Sequence, residues 1–263
     1  MFLLLLAIKA AAAAAIVLGL SVLAERTTPR IAGIISGAPL GALITFYMLG
    51  LEKGTGFVVA SVPHAIAGMS GVLVYVAAFH WASLKVSRLS IVAGHFAGLL
   101  AYLAAALTLE RVVFTWETAL PLTTAITIAV GYLFRQNEDI RVANPARLTF
   151  GLLALRAGSA AMLVVTAVSL AKALGPSWAG VLIGFPLTLL PTMLIVQLTY
   201  SLGHVHAMLK GFPVGMGSVL TYLMVVPWSF STLGVHLGSA VALAAAWSYL
   251  IGLTLFYRWR RHR

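Results

Sequence analysis

Lys9 and Arg156 are the two side chains of this sequence whose setting calls for a chemical reason, because each is a cation inside a long apolar run. Each lies about eight residues, or roughly 12 Å, into a helix of bilayer-spanning length. A cation at that depth costs at least ~2.5–3.5 kcal/mol and marks a functional site by default. Neither run supplies a carboxylate at matching depth, so an anion brought from outside would be the counter-charge. The competing role is snorkelling, with the apolar stem along the lipid and the charge among the headgroups.

Two further pairs accompany the cations. Pro39 and Pro186 each sit in an apolar run, and each follows a glycine by two residues, Gly37 and Gly184. Proline has no N–H and clashes with the preceding turn, so a kink or break is expected at both. A broken helix exposes N–H groups and the positive end of a dipole, which favour anions. Glycines spaced as Gly33 and Gly37, or Gly180 and Gly184, also allow close helix packing without any ligand. Tyr75 and Tyr222 could donate hydrogen bonds to a ligand or simply pack.

Other reactive residue types form no constellation. His204 and His206 lie two apart, on different faces of a helix, which argues against a shared metal. His64, His80, His95 and His236 are isolated along the chain, and Glu52, Glu110 and Glu117 fall at the ends of apolar runs. There is no cysteine, hence no disulfide or thiolate site. No phosphate-binding loop, nucleophile elbow or His/Asp cluster is present. The sequence thus predicts no enzyme, cofactor or metal centre.

These residues must be positioned by membrane helices. Of 263 residues, 61% are hydrophobic and 9% charged, where a soluble domain carries about a quarter charged. Apolar stretches of ~20 residues predict an all-α fold of nine transmembrane helices, over 2–24, 31–51, 57–80, 89–109, 112–134, 148–171, 177–200, 209–228 and 235–257. Loops after odd-numbered helices, with the tail, carry Arg26, Arg30, Lys85, Arg88, Arg135, Arg141, Arg147, Lys210, Arg258, Arg260, Arg261 and Arg263. Loops after even-numbered helices carry only Lys53, Arg111 and Lys172. Basic loops stay cytoplasmic, which predicts the N-terminus outside and the C-terminus inside. The formal charge of +11 is therefore a membrane-surface feature and not a nucleic-acid footprint.

The sequence also repeats itself without gaps at an offset of 147 residues. Ala32-Gly33-Ile34-Ile35-Ser36-Gly37-Ala38-Pro39-Leu40 corresponds to Ala179-Gly180-Val181-Leu182-Ile183-Gly184-Phe185-Pro186-Leu187. Pro29 matches Pro176, Gly68-Met69 matches Gly215-Met216, Val72-Leu73 matches Val219-Leu220, Tyr75 matches Tyr222, Trp81 matches Trp228, and Lys9 falls on Arg156. The expected organisation is a first repeat over 1–134 with five helices, a cytoplasmic linker over 135–147, and a second repeat over 148–263 with four helices and a basic tail. Five is odd, so the second repeat enters the membrane from the opposite side. Inverted repeats of this kind belong typically to secondary transporters, whose sites lie near the midplane at the repeat interface.

Leu6-Ala7-Ile8-Lys9-Ala10, Ala24-Glu25-Arg26, Pro29 and Gly37-Ala38-Pro39-Leu40 together resemble the GlpM-like family of small inner-membrane proteins. The resemblance covers residues 1–110 and, more weakly, 150–257, with Arg156 in place of the lysine. It implies a four-helix unit, here in tandem, and a multi-pass location in a bacterial inner membrane; it implies no reaction. The expected function is a secondary transporter or flippase for an anionic small molecule or a lipid-linked phosphate. Lys9, Arg156, Gly37, Pro39, Gly184, Pro186, Tyr75 and Tyr222 would form its site. The alternative is a non-transporting subunit that scaffolds an envelope-biosynthesis complex. The bilayer is the certain partner, and a homo-oligomer or a membrane partner fits either reading.

Overall fold

A computed structural model describes residues 29–86, 90–138, 140, 173–186 and 189–261, with isolated positions 11, 15, 158, 162, 165, 166, 169 and 170. Its elements are α1 (Pro29–Ser36), α2 (Leu40–Lys53), α3 (Thr55–Lys85), α4 (Ser90–Leu109), α5 (Trp116–Phe134), α6 (Pro176–Ile183), α7 (Leu189–Thr199) and α8 (Leu202–Arg261). The described residues contain no strand, as runs of Leu, Ala, Val and Ile with helical breaks require. Lys9, Arg156 and the greater part of the 135–147 linker lie outside the described residues, as do helices 1 and 6 of the sequence reading apart from scattered positions.

Five stretches are long and apolar enough to cross a membrane: Gly33–Lys53, Thr55–Lys85, Ser90–Leu109, Trp116–Phe134 and Leu202–Phe256. Their outer faces suit lipid. On α4, Val92, Phe96, Leu100, Leu103 and Leu107 form an exposed stripe, while Gly94, Gly98, Tyr102 and Ala106 turn inward. A soluble helix would present the reverse pattern. The interior is built from Tyr75, Tyr222, Phe46, Phe79, Phe134 and Phe230, all fully buried.

At 60 residues, α8 would run roughly 90 Å if straight, about three bilayer thicknesses. It does not run straight, because Gly234 has φ 74° and ψ −176° and breaks it. Its arms, 202–233 and 235–261, fold back on each other. Gly238 lies against Ser229, and the Tyr249 hydroxyl donates to the Val214 carbonyl at 3.2 Å. The sequence reading placed a longer break at Ser229–Gly234. Ser229 and Thr232 are helical, and their hydroxyls donate to carbonyls of the preceding turn, those of Val226 and Trp228. Other boundaries move as well, the furthest being the start of α8, which lies at Leu202 and not at 209, so that His204 and His206 are helical. Helix α3 extends to Lys85, and α5 starts at Trp116 behind a capping box formed by Thr115 and Thr118.

Chain direction follows from the ends. The last turn of α3 meets the first turn of α8, with Ser83 Oγ 3.0 Å from His206 Nε2. At the other end, the second half of α2 meets the α8 break: Tyr47 bonds His236 at 2.9 Å and Gly50 lies against Val235. Hence α3 and the first arm of α8, which correspond at the 147-residue offset, run in opposite directions.

Candidate functional site

Two of the three Gly-x-Pro segments, those ending at Pro39 and Pro186, interrupt their helices, whereas the third, Gly211-Phe212-Pro213, is carried inside α8. Between α1 and α2, the Gly37 N–H donates to Gly33 and Ile34 and the Ala38 N–H to Ile35, after which Pro39 has no N–H to continue. Helix α2 then begins inside the bundle, with Pro39 as an N-cap that offers no side-chain hydrogen bond. Between α6 and α7 the same occurs: the Gly184 and Phe185 N–H groups donate back to Val181 and Leu182, and Pro186 ends the run. The N-terminus of a broken helix carries unsatisfied N–H groups and a partial positive charge.

Both breaks open onto one cavity of about 50 Å³. Gly37, Pro39 and Ala42 line it from one side, and Gly184, Pro186 and Leu189 from the other. Met69 and Val72 of α3 and Met216 and Val219 of α8 complete the wall. These are largely pairs at the 147-residue offset. Four of the eight site residues expected from sequence, Gly37, Pro39, Gly184 and Pro186, are thus brought together.

What brings them together is an exchange of partners. Helix α1 packs on α8, and α6 packs on α3. A Cβ on Gly37 would lie 2.6 Å from the main chain of Gly215; one on Gly184 would collide with the main chain of Gly68. A Cβ on Gly33 would meet Met208 and Phe212, and one on Gly180 would meet Ser61, His64 and Ala65. Every one of these contacts has its counterpart at the same offset: 37 on 215 and 184 on 68, 33 on 208 and 180 on 61. Only residues without side chains let the backbones approach this closely.

The tyrosines stand one helical turn beyond the lining residues Val72 and Val219 and do not line the cavity. The Tyr75 hydroxyl pairs with His95 Nδ1 at 2.6 Å. The Tyr222 hydroxyl is buried and has no hydrogen-bond partner among the described residues. The position equivalent to His95 is Ala242, which explains the difference.

Two contributors escape a reading of sequence. The Ser218 hydroxyl is shared between the Gly215 carbonyl at 2.9 Å and the Gly37 carbonyl at 3.1 Å, at the α1 break. Tyr102 donates to the Val181 carbonyl at 3.0 Å, and its ring meets Phe185 edge-on. Tyr102 does have a mate at the offset, Tyr249, and that coincidence was the available signal. The two hydroxyls are not equivalent in use, since Tyr249 bonds Val214 of its own hairpin.

The histidines prove less isolated than their spacing suggests. His64 Nε2 meets the Val112 carbonyl at 3.1 Å, His236 meets Tyr47, and His204 meets Ser201. The rings of His80 and His206 pack with centroids 4.5 Å apart. No group of three or more metal-ligating side chains occurs among the described residues. No family model, curated protein or solved structure matches the chain.

Proposed function

We propose that the chain is an inverted-repeat secondary transporter or flippase of nine spans, which moves an anionic or phosphate-bearing solute through the cavity between its two broken helices. The observation that carries this reading is the cavity itself, flanked by two Gly-x-Pro breaks at equivalent positions. Inverted orientation is supported by the opposite directions of α3 and the first arm of α8. Trp81 and Trp228, equivalent and both exposed, sit toward opposite ends of the bundle, where two interfacial belts would hold them. Each break lies about eight residues, or roughly 12 Å, into its span. Counted from opposite faces of a ~30 Å core, the two breaks approach the midplane together.

Selectivity for anions rests on the positive end of α2 at the cavity and on the two cations at equivalent depth, Lys9 and Arg156. In this conformation the cavity holds on the order of three waters, so a phosphate group enters only after the breaks part. Glycines at the two helix crossings, two on each, suit such a rearrangement. On the motifs quoted above, we group the chain with GlpM-like proteins as a tandem inverted duplication.

The test is flux in proteoliposomes of the full chain, using chloride, inorganic phosphate and a fluorescent anionic phospholipid as separate probes. At least one probe should move faster than in protein-free vesicles. Lys9→Ala and Arg156→Ala should each lower that rate at least about tenfold, matching the loss of a charge-assisted contact of ~1.5–3 kcal/mol, with insertion unchanged. If no probe moves while the protein is folded, the scaffold-subunit reading takes its place.

A further inference from the structure

His80 and His206 lie 4.5 Å apart, ring centroid to ring centroid, where the last turns of α3 meet the first turn of α8. They come from opposite sides of the repeat boundary, and neither has a histidine at the equivalent position: Val59 stands for His206 and Pro227 for His80. The pair is therefore not a by-product of duplication.

The Ser83 hydroxyl lies 3.0 Å from the His80 carbonyl and 3.0 Å from His206 Nε2. It has one hydrogen, so both contacts are satisfied together when it donates to the carbonyl and the imidazole donates to it. That arrangement favours the Nε2–H tautomer of neutral His206, with Nδ1 as its base. His80 is buried, stacked edge-on against Phe134 on its other side, and its Nδ1 has no hydrogen-bond partner among the described residues. Each ring therefore offers one basic nitrogen, and the two rings are too close for both to carry charge comfortably.

No described carboxylate compensates a second charge. Glu138, next to Asn137, is exposed and contacts neither ring. The surrounding charges are cationic and engaged elsewhere. Lys210 donates to the Asn137 carbonyl at 2.9 Å, while Lys85 and Arg135 lie over the rings of Trp81 and Tyr132. His204 is turned to Ser201. Asn137 also donates to the His206 carbonyl at 2.9 Å and so ties α5 to this junction.

We infer that His80 and His206 form a one-proton binding site at the basic end of the bundle, in which protonation of either ring excludes protonation of the other. Because the site joins the two halves, proton occupancy changes the charge on the contact between α3 and α8. As the coupling ion of a carrier it rests on the transport reading; as a proton site it does not.

The test reads the rings directly. Full-length protein with nitrogen-15 histidine is reconstituted in phosphatidylethanolamine–phosphatidylglycerol vesicles, and imidazole resonances are followed from about pH 8 to about pH 4. Resonances of the two rings are assigned with His80→Gln and His206→Gln. In the parent, one ring should gain a proton and the other should stay neutral until distinctly lower pH. Removing the ring that protonates first should raise the proton affinity of the other about tenfold, one pH unit, while removing the second should leave the first nearly unchanged. Ser83→Ala should convert neutral His206 to a mixture of tautomers, a change that loss of packing alone would not produce. Independent titration of the two rings, unaltered by removal of the partner, would overturn the proposal, and so would a pair neutral throughout the range. Failure of every flux assay would leave this result standing, since no solute movement enters it.

Discussion

Tyr75 and Tyr222 occupy equivalent positions and are both fully buried, yet their hydroxyls meet different surroundings. Replacing Tyr75 by Phe removes the bond to His95 and leaves a buried imidazole nitrogen without its partner. That should cost about 1–3 kcal/mol. Tyr222→Phe removes a hydroxyl that has no partner among the described residues, and should be neutral or stabilising. Unfolding of the two variants in detergent checks the contrast, and equal losses would refute it. At this scale the sequence disclosed equivalence and hid environment. The 147-residue offset identified Tyr75 and Tyr222 as a pair, but the His95–Ala242 difference that separates them has meaning only once α4 is seen to pack against α3. The His80–His206 contact was hidden for the same reason: spacing along one helix says nothing about a partner on another. Lys9 and Arg156 stand as read from sequence, outside the described residues.

Helices, by contrast, were readable as elements because each apolar run is long and ends in charges or turn formers. The breaks at Pro39 and Pro186 were expected from sequence too, although proline alone does not decide, since Pro63, Pro121, Pro213 and Pro227 lie inside continuous helices. What could not be read was partner choice. Nothing in the sequence says that α1 packs on α8 and α6 on α3, because interchangeable apolar faces carry no address in lipid. The glycines set that choice, by depth of approach. Gly37→Ala and Gly184→Ala should each destabilise the bundle by ~1–3 kcal/mol, the usual penalty of overpacking. Gly252→Ala meets nothing within 4 Å and should gain up to about 1 kcal/mol of helix propensity. Thermal unfolding of the three variants in one detergent compares them; a Gly37→Ala protein as stable as Gly252→Ala would show that the crossings tolerate bulk.

Across the whole molecule, orientation is the property most open to direct measurement, because the chain has no cysteine and any introduced thiol reports alone. Single cysteines at Gly54, Asn137, Gly175 and the C-terminus should react with an impermeant maleimide from the outside, the inside, the outside and the inside in turn. A C-terminus labelled from outside would rule out nine spans with the basic loops inside. The break at Gly234 is decisive in this count, since it divides one long helix into two arms, which nine spans would require to be separate crossings. Its left-handed φ of 74° is a conformation that glycine adopts freely and other residues resist.

The exchanged packing of the two halves has a consequence in time. Gly37 and Ser218, bonded in the finished protein, are 181 residues apart in sequence. At a synthesis rate of about 5–20 residues per second, the first broken helix waits roughly ten to thirty-five seconds before its partner leaves the ribosome. Throughout that interval its glycine face lacks the α8 surface on which it packs in the finished protein. A half-made chain has therefore to keep that face from other partners until α8 arrives.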